Sequence, residues 1–192
     1  MSERFAIIGL GNPGPKYAET RHNAGFWFLD RLLEKMAMSL RPQSKLHVEM
    51  AAGELFAHDV ILARPTTFMN HSGQAVRALT DYYQIPFGNV LVAYDELDLP
   101  AGTVRLKQGG GHGGHNGVRD PVQHLGVGDF LRLRIGIGHP GHKDAVTGYV
   151  LGRCPLAERA EIDNSIERAV EVMPLVLADR LQEAMTALHT AN

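Results

Sequence analysis

Phe5-Ala6-Ile7-Ile8-Gly9-Leu10-Gly11-Asn12-Pro13-Gly14 is the stretch on which the fold turns. Phe5 to Leu10 is a short apolar run closed by a Gly-Pro-rich turn, the pattern of a buried strand. Downstream, Phe26, Leu29, Leu33 and Met36 recur at helical spacing and predict a helix from about Arg21 to Met36. Strands are expected near Val48–Leu55 and Asp59–Arg64, then a helix marked by Val76, Leu79 and Tyr83 with Ser72 as its N-cap. Val90–Tyr94 is continuously apolar, as a strand covered on both faces would be. Thr103–Lys107 reads as a strand, Asn116–Leu125 as a helix and Leu131–Ile137 as a further strand. A helical segment follows over about 157–190, with one stripe at Ile162, Ile166, Ala169 and Met173 and another at Leu181, Met185 and Leu188. Pro174 is expected to kink or break it. Strands alternating with helices predict an α/β fold: a single-domain three-layer sandwich, its mixed, mostly parallel twisted sheet flanked by helices. Such sheets bind ligands beyond the carboxyl ends of their strands.

The 192 residues are 44% apolar, enough for a core without disulfide or metal. The single cysteine, Cys154, excludes an internal disulfide and a Cys-rich zinc site. The longest apolar runs are far short of the roughly 18 residues of a membrane span. The first residues, MSERFAIIGLGNPG, lack a signal-peptide layout, so a soluble cytoplasmic protein is expected. The net charge of −2 excludes a polybasic protein. The charge is uneven, however. Arg105, Lys107, Arg119, Arg132, Arg134 and Lys143 face only Asp120 and Asp129 between residues 103 and 143. A basic span on an acidic chain suggests a polyanion held at one place.

Four polar segments follow four expected strands. Gly9, Gly11 and Gly14 fit the spacing of a dinucleotide-binding turn. That turn needs free N–H groups on a helix that starts at once, but Pro13 and Pro15 have none and the apolar stripe starts only at Phe26. A tight turn is the simpler reading. His22 falls in phase with Phe26, Leu29 and Leu33, in the first turn of its helix, where the dipole disfavours an imidazolium. Pro65 to Gly73, PTTFMNHSG, joins Asn70 and Ser72 to Phe68 and Met69 at a strand end. Asp95 is the first polar residue past a buried strand, placed to orient a histidine and stabilise its charged form. Gly109 to Gly117 holds six glycines, His112, His115 and Asn116. Such a loop lets a ligand approach the backbone. A metal reading of His112 and His115 lacks matching carboxylate spacing. There is no serine elbow, and Cys154 has no nearby histidine. A histidine, an aspartate and several asparagines suit direct activation of water, with amide donors for an oxyanion.

These residues carry a resemblance. GLGNPG (Gly9–Gly14) with Tyr17 and TRHN (Thr20–Asn23), PTTFMNHSG (Pro65–Gly73), YDELDLPAG (Tyr94–Gly102), GGGHGGHNGVRD (Gly109–Asp120) and RLRIGIGHPG (Arg132–Gly141) resemble the bacterial peptidyl-tRNA hydrolases, in family order and across nearly the full chain. Arg64 and Arg105 stand where lysine is frequent, with the charge kept. The resemblance implies hydrolysis of the ester joining a peptide to the 3′ ribose of tRNA, with no cofactor or metal. It implies His22 as general base, Asp95 as its orienting acid, and Asn12 placing substrate or His22. Asn70 would hold the peptide main chain or water, and Asn116 the peptide or the terminal nucleotide. Tyr17 and Met69 would line the cleft, while Arg105, Lys107 and Arg134 would contact tRNA phosphates. It further implies a monomer that meets the acceptor end of peptidyl-tRNA and no membrane. The glycine-rich loop, Gly138–Lys143 and the last helix are expected to gate the cleft. An RNA-binding module on the same fold and, from the glycine turn alone, a nucleotide-dependent oxidoreductase are the competing readings.

Overall fold

The computed structural model describes residues 3–111, 113–125 and 129–190, without the side chains of Asn116, His124 and Leu125. In chain order the elements are β1 (Phe5–Gly9), α1 (Ala24–Met36), β2 (Arg41–Gln43), β3 (Val48–Leu55), β4 (His58–Pro65), α2 (Ser72–Tyr83) and β5 (Val90–Glu96). There follow β6 (Val104–Gln108), α3 (Asn116–Leu125), β7 (Leu131–Gly136), α4 (Val146–Val150), α5 (Leu156–Leu177) and α6 (Leu181–Thr190).

Among the described residues the strands form one sheet in the order β2-β3-β4-β1-β5-β7-β6. Its centre is parallel: β1 pairs with β4 and β5, and β5 pairs with β7. The margins are antiparallel. The continuous apolar runs read from the sequence are resolved by the pleat into two faces. Phe5, Ile7, Leu62, Leu91, Ala93, Leu133 and Ile135 pack with α1, α5 and α6, while Ala6, Ile8, Ile61, Val90, Val92 and Tyr94 pack with α2 and α3. The α/β sandwich expected from the sequence is thus present, with two apolar layers separated by the sheet.

The chain leaves β1 at the sheet centre, with β4 on one side and β5 on the other, so the switch point lies beyond the carboxyl ends of these strands. Helix α1 approaches that edge closely. A Cβ on Gly25 would stand 2.4 Å from Ala93 O and 2.6 Å from Leu10 N, and one on Gly9 would stand 2.3 Å from Gly25 O. Gly9 therefore serves helix–sheet contact.

Three local expectations are corrected. The first turn of the predicted Arg21–Met36 helix is a separate 3-10 turn, Arg21–Asn23. Ser72 does not cap α2; its buried hydroxyl donates to Met69 O at 2.7 Å. Instead Asp120 of α3 accepts from Gly73 N at 2.5 Å, a carboxylate meeting the free N–H groups of the α2 start. Pro174 does not end α5, which continues to Leu177 because Val176 and Leu177 remain buried beyond it. The break comes later, at Asp179, whose φ is +59°. No helix among the described residues is long and apolar enough to cross a membrane.

Candidate active site

Three segments carry titratable groups to the switch point. Asp95 lies near the end of β5 and is 1% exposed. His22 sits in the 3-10 turn ahead of α1, and His115 immediately precedes α3. His22 Nδ1 is 2.8 Å from Asp95 Oδ2, and His115 Nε2 is 2.9 Å from Asp95 Oδ1. One buried carboxylate thus holds two imidazoles, whose ring centres are 5.3 Å apart.

The tautomers follow from the partners. His115 Nδ1 accepts from Val118 N at 3.3 Å, so Nε2 carries the proton it gives to Asp95. The His115 ring also meets Tyr94 edge-on at 4.9 Å. His22 gives its Nδ1 proton to Asp95, which leaves Nε2 with a lone pair on a residue that lines the cleft. Burial pushes the Asp95 carboxyl up, but the two imidazoles facing it overcome this and hold it well below the usual carboxylate range. Burial likewise lowers the His22 pKa, and the charge and hydrogen bond of Asp95 override it, leaving it raised. Asp95 therefore sets the net direction for this histidine.

The cleft has a volume of about 350 Å³. Asn12, His22, Asp95 and His115 form its polar end, and Phe68, Met69, Leu97, Val146, Val150 and Leu151 supply apolar wall. Asn12 is held by a set of amide bonds. Its N donates to Asn23 Oδ1 at 2.9 Å, Asn23 Nδ2 donates to Asn12 O at 3.0 Å, and Asn12 Oδ1 accepts from Met69 N at 2.7 Å. This orientation leaves the Asn12 Nδ2 group without a protein partner among the described residues. Asn70 is exposed and lines the cleft. Tyr17 lies at the rim, edge-on to Phe68 at 6.2 Å, and does not itself line the cavity. The side chain of Asn116, like His112, lies outside the described residues.

The basic span separates into different environments. Arg105 and Lys107 of β6 register against Arg134 and Arg132 of β7, which places all four on the sheet face opposite α5 and α6. Lys107 is exposed and Arg105 half-buried. Arg134 pairs with Glu96 at 2.7 Å. Arg132 is buried, donates to the carbonyls of Gly110 and Gly111 and lies over Phe130, so it anchors the glycine-rich loop.

Sequence reasoning did not select His115 for the site. Its signal was present, a histidine in a glycine loop ahead of a helix, but nothing in that loop fixes a phase. The α4 wall was also missed, because five residues with one buried side chain leave no stripe. Helix α6 packs on α5 and β6 and lines none of the cleft. The donor atoms of His22, Asp95 and His115 lie within 4.8 Å of one another. The hydrogen bonds of the two imidazoles to Asp95 hold these atoms together.

Fold and cluster together define the class: an α/β enzyme with a histidine–carboxylate centre at the carboxyl edge of a parallel sheet. Residues 6–192 match the family described as peptidyl-tRNA hydrolase. The chain is 51% identical over 184 residues to the peptidyl-tRNA hydrolase of Coxiella burnetii, covering 96% of each. It is 48% identical over 189 residues to that of Acinetobacter baylyi, covering 98% of this chain and 97% of the other. The crystal structure of the Acinetobacter baumannii peptidyl-tRNA hydrolase superposes with a TM-score of 0.95 at 47% identity, covering 99% of this chain and 96% of that one. The chain belongs to the peptidyl-tRNA hydrolase family.

Proposed function

We propose that His22 is the general base by which this chain, an enzyme that hydrolyses peptidyl-tRNA, attacks the ester between peptide and tRNA. The observation that carries the reading is the one-sided anchoring of His22. Asp95 holds Nδ1 at 2.8 Å, so Nε2 is the basic nitrogen on the cleft side. Nε2 takes a proton from water as the oxygen adds to the ester carbonyl. Asp95 stabilises the imidazolium that results, and His115 fixes the other oxygen of Asp95. The tetrahedral oxyanion takes hydrogen bonds from amide donors, for which Asn12 Nδ2 and the Asn70 amide are the candidates on the wall. Collapse expels the 3′ ribose oxygen, which receives the proton from His22. An alkoxide leaves more readily than an amine, so one base and a few donors suit the task.

Met69, Phe68 and the α4 residues form the side on which the peptide lies, with Tyr17 at its rim and Asn116 near the α3 start. Arg105 and Lys107, joined by the half-neutralised Arg134, contact phosphates of the acceptor end. One chain supplies every group used, consistent with a single-domain monomer; its place is the cytoplasm, where peptidyl-tRNA arises. The test is single-turnover release of peptide from N-blocked aminoacyl-tRNA, with and without EDTA, for wild type and His22→Ala. Release that resists EDTA and collapses in the variant supports the reading. Unchanged release by His22→Ala overturns it, and bound tRNA without release in wild type would favour an RNA-binding module.

A further inference from the structure

Residue 21, next to the proposed base, is an arginine that is 8% exposed. A buried guanidinium needs partners for its charge and its donors. Arg21 finds them at two distant places. Nε and Nη2 donate to the two oxygens of Glu158 on α5, at 2.8 and 3.1 Å. Nη1 donates to Tyr149 O at 3.0 Å, and the guanidinium lies 3.9 Å over the Tyr149 ring. The backbone joins the contact, since Arg21 N donates to Gly152 O at 3.1 Å and Thr20 forms a bridge with Arg153.

The tethered segment is the α4 wall of the cleft. Helix α4 is one short turn, with Val150 buried and Val146 and Tyr149 only partly buried against the core, so modest apolar area holds it in place. Its polar ties are Arg21 from one side and, from the other, the Tyr149 hydroxyl donating to Ile137 O at 2.6 Å. Val146, Thr147, Val150 and Leu151 face the cavity from this segment. His22 stands on the turn to which the segment is tied.

We propose that Arg21 is a positioning residue that sets the width of the substrate cleft, holding the α4 wall in register with the His22 turn through Glu158 and Tyr149. The inference rests on the assignment of the His22 cleft as the active site. Loss of the clamp frees the wall while leaving the His22–Asp95 pair intact, so it weakens substrate binding more than it slows chemistry.

The test is steady-state peptide release by full-length Arg21→Lys, Glu158→Gln and Tyr149→Phe, with His22→Ala as control. A melting curve confirms folding, and hydrogen exchange follows residues 143–152. KM is expected to rise about tenfold for Glu158→Gln and Arg21→Lys, with kcat within about threefold and the pH profile in place. Lysine does not rescue, because it lacks the planar fork and the stack on Tyr149. Exchange in the α4 segment accelerates in all three variants. Tyr149→Phe keeps the ring and carbonyl that meet Arg21 and loses the hydroxyl's bonds to Ile137 O and Glu158 Oε1, so it frees α4 from its other side and tests, without a buried-charge change, whether a loosened wall raises KM. Folded variants with wild-type KM and unchanged exchange overturn the proposal. A collapse of kcat with a displaced pH profile overturns it as well, since the clamp would then act on the base. Wild-type activity in His22→Ala would remove the site assignment and the proposal together, whereas an inactive His22→Ala beside normal clamp variants would remove the proposal alone.

Discussion

Replacing Asp95 with asparagine tests the charge logic of the site. The carboxylate accepts two N–H groups, from His22 Nδ1 at 2.8 Å and His115 Nε2 at 2.9 Å. Asparagine offers one acceptor and one donor on the same two positions. If its NH2 group faces His22, the proton moves to Nε2 and the base is lost. If it faces His115, two donors meet, because His115 Nδ1 is already taken by Val118 N. The lost charge alone removes a charge-assisted hydrogen bond of about 1.5–3 kcal/mol from the imidazolium, about 10- to 150-fold in rate. The wrong tautomer adds to this, so kcat is expected to fall about 10²–10⁴-fold. The pH dependence moves as well. In wild type the rate rises with pH as His22 loses its proton, and that limb sits above the ordinary histidine value because Asp95 raises the pKa. Without the charge only burial acts, and burial lowers it, so the limb shifts toward acid. Single-turnover release measured over about pH 5 to 9 reads both effects. An Asp95→Asn enzyme with a wild-type plateau and an unmoved limb would refute the reasoning.

Further outcomes follow from the same contacts. Gly25→Ala places a methyl 2.4 Å from Ala93 O, where backbone blocks relief, so stability should fall by ~3 kcal/mol in urea melts and activity should fall as the His22 turn is displaced. Lys107→Ala should weaken tRNA binding and reduce the slope of log K against log salt by about 1, measured by titration at several salt concentrations. In acid, Asp95 contributes stability that is present above the unfolded carboxylate pKa of about 3.9, and that stability is lost as pH falls toward its depressed folded value. Urea midpoints should therefore drop below about pH 4, and less so in Asp95→Asn.

How far the sequence reaches depends on whether a residue has a local phase. His22 was legible because it falls in phase along the sequence with Phe26, Leu29 and Leu33, all buried, although it sits in a separate 3-10 turn ahead of their helix. Asp95 was legible because a strand buried on both faces ends beside it. His115 was not, since a run of glycines gives neither period. The basic span read as one surface, yet the glycine-rich loop buries Arg132 and Glu96 pairs with Arg134. A count of charges along the chain contains no face. The clamp on α4 was out of reach for another reason: Arg21 and Glu158 are 137 positions apart, and only the assembled sheet brings them together.

The order of the strands also decides when, during synthesis, the protein can work. Groups of the centre come from the loop after β1, the turn before α1, the end of β5 and the start of α3, and α5 closes the wall through Glu158. The central pairings are parallel and join segments far apart in the chain, which makes them late events in folding. A nascent chain that stops before residue 115 therefore holds no complete histidine–carboxylate cluster, and one that stops before residue 158 holds no fastened cleft. On the assignment proposed above, the chain, while still esterified to its own tRNA, is unable to cut such an ester until Glu158 of α5 has been made.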